Sequence, residues 1–73
     1  SKARSPVAGK VTQVLVASGT EVQSGQQLVC VEAMKMEMWL CAEAAGVVQA
    51  VYAKAGDQVE SGALLVELEL LKK

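Results

Sequence analysis

Two four-stranded antiparallel sheets, packed face to face into a flattened all-β sandwich that closes on itself, are predicted for this 73-residue chain by three observations. The chain repeats itself: setting residues 8–32 against residues 45–69, an offset of 37, makes 11 of 25 positions identical. The matches are Ala8/Ala45, Gly9/Gly46, Val11/Val48, Val14/Val51, Gly19/Gly56, Val22/Val59, Ser24/Ser61, Gly25/Gly62, Leu28/Leu65, Val29/Val66 and Glu32/Glu69. Such self-similarity marks one supersecondary unit used twice. The local signals are all for strands, in short runs rich in Val and Leu. The glycines fall in matched pairs that punctuate those runs at regular intervals.

In chain order, each half supplies an opening strand, a longer strand after its first glycine, a brief strand around Val22 or Val59, and a closing strand. Val11-Thr12-Gln13-Val14-Leu15-Val16 is the longer strand of the first half. Val11 and Val14 are both repeated although three residues apart, which strict alternation does not give and a β-bulge would. Ser18-Gly19 and Ser24-Gly25, with Ala55-Gly56 and Ser61-Gly62 in the second half, suit turns that require positive φ. Leu28-Val29-Cys30-Val31 closes the first half. Val29 and Val31 match Val66 and Leu68, so that face points inward, and Cys30, matched by Glu67, is placed on the outer face. Met36-Glu37-Met38-Trp39-Leu40 opens the second half. By alternation Met38, Leu40 and Ala42 share one face, while Glu37, Trp39 and Cys41 share the outward one, leaving Trp39 partly in solvent as a core edge or a partner contact. Residues 42–45 are helix-forming, but Gly46 ends the run after one turn, too short to persist. Leu64-Leu65-Val66-Glu67-Leu68 closes the second half. Neither half can bury its apolar face alone, and packing the two together also reduces exposed edges.

Composition narrows the function classes. Seventy-three residues make one small domain, near the lower limit for a single core. The chain is 52% apolar, yet Trp39 and Tyr52 are its only aromatics, so the core is mostly Val, Leu and Ala, with little room for a buried substrate pocket. A net charge of −1 with scattered Lys and Arg argues against nucleic acid, which needs a concentrated positive face. Cys30 and Cys41 stand at unrelated repeat positions. Spacing leaves a single disulfide open, but the pattern favours a reduced, cytosol-like compartment. Two thiols without a histidine make half a zinc site. No apolar run is long enough to span a bilayer, and Ser1-Lys2-Ala3-Arg4-Ser5-Pro6 has no signal-like run behind it. With no initiator methionine, residues 1–73 read as one domain excised from the C-terminal part of a longer chain.

The segment joining the two copies is the candidate site. The closing strand of the first half runs through Val31 and Glu32, and the opening strand of the second starts at Met36. Met34-Lys35 is therefore predicted as a two-residue hairpin loop, where Asn-Gly would be the usual choice. Function is expected to override propensity at such a place. A lysine on the tip of a turn is exposed and open to modification, and Met34 and Met36 are flexible, polarisable surfaces suited to several partners. A lysine ammonium is a poor nucleophile at neutral pH, so its acylation needs an external enzyme. Lys72, the repeat mate of Lys35, has Glu69 three residues before it but Leu71 and Lys73 in place of methionines. It is not expected to be modified.

Ala33-Met34-Lys35-Met36 resembles the biotin-attachment motif of biotin-dependent carboxylases and decarboxylases, whose usual form is Ala-Met-Lys-Met. The resemblance covers nearly the whole chain. Pro6-Val7-Ala8-Gly9-Lys10-Val11 is similar to the family's Pro-x-x-Gly-x-Val opening, and Gly19, Val22, Gly25 and Leu28 follow in its rhythm. Residues 42–46, Val48, Ala55-Gly56-Asp57, Val59, Gly62 and Leu65 repeat it. Glu43 departs from the pattern, since family members often carry proline there, but it bears on a turn and not on the attachment site.

The resemblance implies a barrel-sandwich biotin carboxyl carrier domain that catalyses nothing itself and has no metal site. Lys35 would hold covalent biotin, with Glu32, Ala33, Met34 and Met36 as flanking recognition residues. A biotin protein ligase would attach the biotin, a biotin carboxylase using ATP and bicarbonate would carboxylate it, and a carboxyltransferase would pass CO2 to an acceptor. The resemblance implies neither nucleic acid nor membrane as partner, and a cytoplasmic location, or the mitochondrial matrix in a eukaryote. Two alternatives stand beside it. A lipoyl carrier domain has the same architecture but typically Asp-Lys-Ala in place of Met34-Lys35-Met36. An unmodified barrel-sandwich adaptor would retain the glycine rhythm with no reason to keep Met-Lys-Met.

Overall fold

Residues 2–70 are described by the computed structural model, and they form eight strands and no helix. The strands are β1 (Lys2–Arg4), β2 (Gly9–Val14), β3 (Glu21–Val22), β4 (Gln27–Ala33), β5 (Met36–Cys41), β6 (Gly46–Val51), β7 (Gln58–Val59) and β8 (Leu64–Leu70). This is the order the repeat predicts, four strands per half. Lys72, the expected repeat mate of Lys35, lies outside the described residues.

The halves do not each make a sheet. One sheet has the order β1-β8-β6-β3 and the other β5-β4-β2-β7, and all pairs are antiparallel. Each half thus gives its two long strands to one sheet and its opening and brief strands to the other. The offset of 37 carries β1 onto β5, β2 onto β6, β3 onto β7 and β4 onto β8, and so carries one sheet onto the other.

Backbone hydrogen bonds between the elements obey the same relation. Gly25 N–H donates to Ala42 O and Gly62 N–H to Ser5 O, both at 2.7 Å. Gly19 N–H donates to Val48 O at 2.8 Å, and its mate Gly56 N–H to Val11 O at 2.6 Å. Leu15 N–H reaches Leu28 O at 2.9 Å as Tyr52 N–H reaches Leu65 O at 2.8 Å. The four glycine bonds each tie one half to the other, and the Leu15 and Tyr52 bonds close each half on itself, so the halves interlock through matched backbone groups.

The apolar core is contributed almost equally by both sheets: Val11, Leu28, Val29 and Val31 from one, Val48, Leu65, Val66 and Leu68 from the other. The spacing of Val11 and Val14 is resolved by the bulge the repeat predicts. Val11 pairs with Val31 and Gln13 with Cys30, so Thr12 is an extra residue in β2, and Gln49 is its counterpart in β6. A bulge shifts the alternation by one, returning Val14 and Val51 to the core side, where both pack as half-buried residues. A second bulge in β4, at Leu28 between the pairs Gln27↔Cys41 and Val29↔Leu40, lets two consecutive apolar side chains face the core.

Cys30 requires a correction. Alternation sets it opposite Val29 and Val31 in facing, yet it is 0% exposed and not part of an open outer surface. The register explains this: Cys30 stands between Gln13 of β2 and Trp39 of β5, and directly opposed residues on one face lie only about 5 Å apart at Cβ. The large, half-buried Trp39 is thus the directly opposed neighbour of Cys30. The repeat mates of this pair are Glu67 and Lys2, again directly opposed, so a Trp–Cys pair in one sheet replaces a Lys–Glu pair in the other. Glu67 also accepts a hydrogen bond from Tyr52 Oη at 3.0 Å, and that bond, with the carboxylate's charge, raises the phenol above its ordinary pKa of 10.0. Both cysteines are free, Cys30 buried and Cys41 exposed.

Gly25 and Gly62 have φ of +82° and +88°, and a Cβ on either would meet nothing within 4 Å. The penalty for a side chain there is purely conformational. Gly25→Ala and Gly62→Ala are each expected to destabilise the fold by about 1 kcal/mol, and equally, as read by urea unfolding. If one variant is destabilised and the other is neutral, the halves are not equivalent.

Candidate functional site

The β4–β5 hairpin is built from the last strand of one half and the first strand of the other. Ala33 pairs with Met36 and Glu32 with Glu37, so Met34 and Lys35 alone make the connection. Both have positive φ, 53° and 65°, the pattern of a type I′ turn whose twist matches that of the strands it joins. Neither residue has the conformational freedom that this region favours, and each is held there at a cost on the order of 1 kcal/mol.

The strands beneath the turn enforce it. β4 is a central strand, paired along its length with β2 on one side and β5 on the other. Gly9 at the start of β2 lets the backbones approach unusually closely. A Cβ there would collide with the Glu32 carbonyl oxygen and lie 3.0 Å from Val31 Cγ1 and 3.2 Å from Ala33 Cβ. Gly9 is therefore a positioning residue for the hairpin base, a role its place in the glycine rhythm did not disclose. Gly46 does the same for the opposite end, where a Cβ would lie 2.5 Å from Glu69 O.

Each predicted site residue falls in this hairpin. Lys35 is exposed at the tip, Met34 is 94% exposed and Met36 65% exposed. Ala33 is half-buried at the strand end and Glu32 exposed beside it. Met38, opposite Val31, is half-buried, which separates it from the two methionines that flank the lysine. An apolar side chain so exposed contributes little to the core, so neither methionine is explained by packing.

The arrangement presents a primary amine on a protruding, stiff turn, flanked by two apolar side chains and two carboxylates. The chain has no histidine, and the turn holds no nucleophile–base pair. What the arrangement makes available is a solvent-exposed primary amine at the tip of the hairpin, and that exposure fits a covalently attached group.

A family model described as "Biotin-requiring enzyme" matches residues 1–68. Over 45 residues, 62% of its length, the chain is 47% identical to a mitochondrial acetyl-CoA carboxylase of Saccharomyces cerevisiae, and covers 2% of that protein. Over 43 residues, 59% of its length, it is 54% identical to the propionyl-CoA carboxylase alpha chain of Ruegeria pomeroyi, covering 6%. Among solved structures, a single-chain, multi-domain long-chain acyl-CoA carboxylase superposes with a TM-score of 0.90 at 32% identity, over 97% of this chain and 7% of that one. The lipoyl domain of the 2-oxoglutarate dehydrogenase complex from Azotobacter vinelandii superposes at 0.75 with 33% identity, over 86% of this chain and 80% of that one. The chain thus spans a small fraction of the carboxylases it matches and most of the free-standing lipoyl domain.

The exposure of both methionines sets an expectation for stability. Met34→Asp with Met36→Ala, which gives the turn a lipoyl-like face, is expected to change unfolding free energy by no more than about 0.5 kcal/mol, since Asp tolerates positive φ and neither side chain is packed. A fall of several degrees in melting temperature would mean that the methionines belong to the core.

Proposed function

Because this chain belongs to the biotin-requiring enzyme family, we propose that it is the carrier domain of a biotin-dependent carboxylase and that Lys35 is its attachment residue. That the domain is biotin-requiring and akin to carrier regions of carboxylases follows from the family match and the carboxylase relatives. The observation that carries the residue assignment is the Met34-Lys35 type I′ turn, in which a lysine flanked by exposed methionines occupies a position that favours Asn-Gly.

In this reading a biotin protein ligase delivers an activated biotin acyl group to Lys35. The Nζ–C amide bond forms, the bond from the acyl carbon to its activating group breaks, and the ammonium gives up two protons. The chemistry that biotin supplies when attached is the reversible holding of a carboxyl group, taken up at a biotin carboxylase site and released at a carboxyltransferase site. The protein's part is presentation. The turn keeps the amine clear of the sheets, Gly9 and the paired strands keep the turn from yielding, and Met34 and Met36 offer adaptable contacts to successive partners. Tethering to the same assembly as both catalytic sites raises the effective concentration of the carried group at each. The domain itself has no catalytic role, and the acceptor substrate belongs to the rest of the parent enzyme. The free thiols Cys30 and Cys41 support a reduced compartment, the cytoplasm or, in a eukaryote, the mitochondrial matrix.

The lipoyl reading is favoured by the lipoyl-domain neighbour, and that likeness is one of scaffold. The Met-Lys-Met turn and the carboxylase relatives weigh against it.

Incubation with biotin, ATP and a biotin protein ligase is expected to add the mass of one biotin, located on Lys35 by peptide mapping. Lys35→Arg is expected to melt at the same temperature as the unaltered chain and to stay unlabelled. Label on any other lysine of that variant, or a lipoyl group on Lys35 in the cell-derived protein, would refute the assignment.

A further inference from the structure

Below the turn, a second feature of the hairpin has no role in the fold. Glu32 and Glu37 are directly opposed, and both are exposed. In a two-residue hairpin the pair flanking the turn, Ala33 with Met36, exchanges hydrogen bonds. The next pair is then of the non-hydrogen-bonded kind, in which side chains stand closest. Like charges so placed repel. Among the described residues β5 is an edge strand, with no partner strand on its other side to relieve Glu37. Glu32 faces Lys10 of β2 across its other side, and Lys10 is exposed. The end of the sheet under the turn therefore carries two carboxylates and the Lys10 ammonium, with the Lys35 ammonium above them.

The charge balance of this tip depends on the state of Lys35. With a free amine, two carboxylates face two ammoniums. Acylation turns the Lys35 cation into a neutral amide, and the tip becomes net negative by one unit. We propose that biotin attachment acts as an electrostatic switch, unmasking the Glu32–Glu37 pair so that the loaded hairpin is drawn to the biotin carboxylase in preference to the unloaded one. The partner follows from chemistry: ATP and bicarbonate are both anions, and a site that gathers them presents a positive field at its mouth. This inference rests on the carrier reading. It assigns Glu37, which lies outside the attachment motif, as a specificity-determining residue, and it explains why a repulsive cross-strand pair is kept where stability would favour its loss.

The test separates charge from biotin itself. Lys35→Gln removes the ammonium without adding biotin. The ¹⁵N-labelled chain, its Lys35→Gln variant and the Lys35→Gln/Glu37→Gln double variant are titrated with the parent enzyme's biotin carboxylase, and Kd is read from the shifts of the hairpin amides. At low salt Lys35→Gln is expected to bind about three- to ten-fold more tightly than the unmodified chain, as one unit charge near a surface allows. The double variant returns to the unmodified affinity, and the gap closes near 1 M salt, where the Debye length is about 3 Å. Glu37→Gln alone is expected to raise the melting temperature by about 1–4 °C by relieving the repulsion. Equal affinities at low salt, a gap that survives high salt, or a fall in melting temperature on Glu37→Gln would overturn the proposal. None of these outcomes depends on whether a ligase labels Lys35, so failure of the switch and failure of the carrier assignment are told apart by the mass of the ligase-treated chain.

Discussion

The exchange of strands between the two halves is the constraint on which the rest depends. Each half places its second and fourth strands in one sheet and its first and third in the other, so neither half contains a complete sheet or a closed core. Short isolated strands do not persist in water, and here the missing partners are supplied by the other copy. The linker between the halves must then join β4, the last strand of one, to β5, the first of the other, which are neighbours in the same sheet. Adjacent antiparallel strands are most often joined by a tight turn. The exposed lysine is a consequence of the repeat as much as of the residues around it.

From this follows a division of labour between the two ends of the sheet system. Gly9 and Gly46 occupy equivalent positions and permit equivalent close approaches, to Glu32 and to Glu69. At one end the close approach braces a turn that carries two strained residues, and at the other it braces the end of β8. One scaffold serves both, and the proposed function places its chemistry at the end that carries Met34, Lys35 and Met36. The strain of the turn is small beside the stability of a domain, and it is tolerated because paired strands over-determine the hairpin.

Much of this was legible in the sequence because the repeat doubles every weak signal. A glycine that alone suggests a turn becomes strong evidence when its mate 37 residues away suggests the same turn, and Gly19, Gly25, Gly56 and Gly62 all have φ between +82° and +98°. The three-residue spacing of Val11 and Val14, repeated in Val48 and Val51, disclosed the bulges. Less was legible where the halves diverge. Cys30 was set on an outer face by its mate Glu67, but burial there depends on the cross-strand neighbour, which is Trp39 in one case and Lys2 in the other. Alternation gives the facing of a residue and not what stands beside it. Thr20 and Asp57 are another example: their side-chain oxygens accept from Ala17 N–H at 3.1 Å and Lys54 N–H at 2.9 Å, one function served by two chemistries that no identity count registers. The opposition of Glu32 and Glu37 follows from the two-residue turn that the sequence predicts, because one more residue would shift the whole register.

The central claim is that the two halves form one interlocked cooperative unit and that this unit fixes the lysine at the joining turn. Native-state hydrogen exchange tests it most directly, through the amides of matched inter-element bonds: Gly25 with Gly62, Gly19 with Gly56, and Leu15 with Tyr52. Each pair is expected to open with the same free energy, and the most protected amides of both halves are expected to reach the global value obtained from denaturant unfolding. If the amides of one half exchange through an opening that leaves the other half protected, the halves are independent, and the interlock does not hold Lys35 in place.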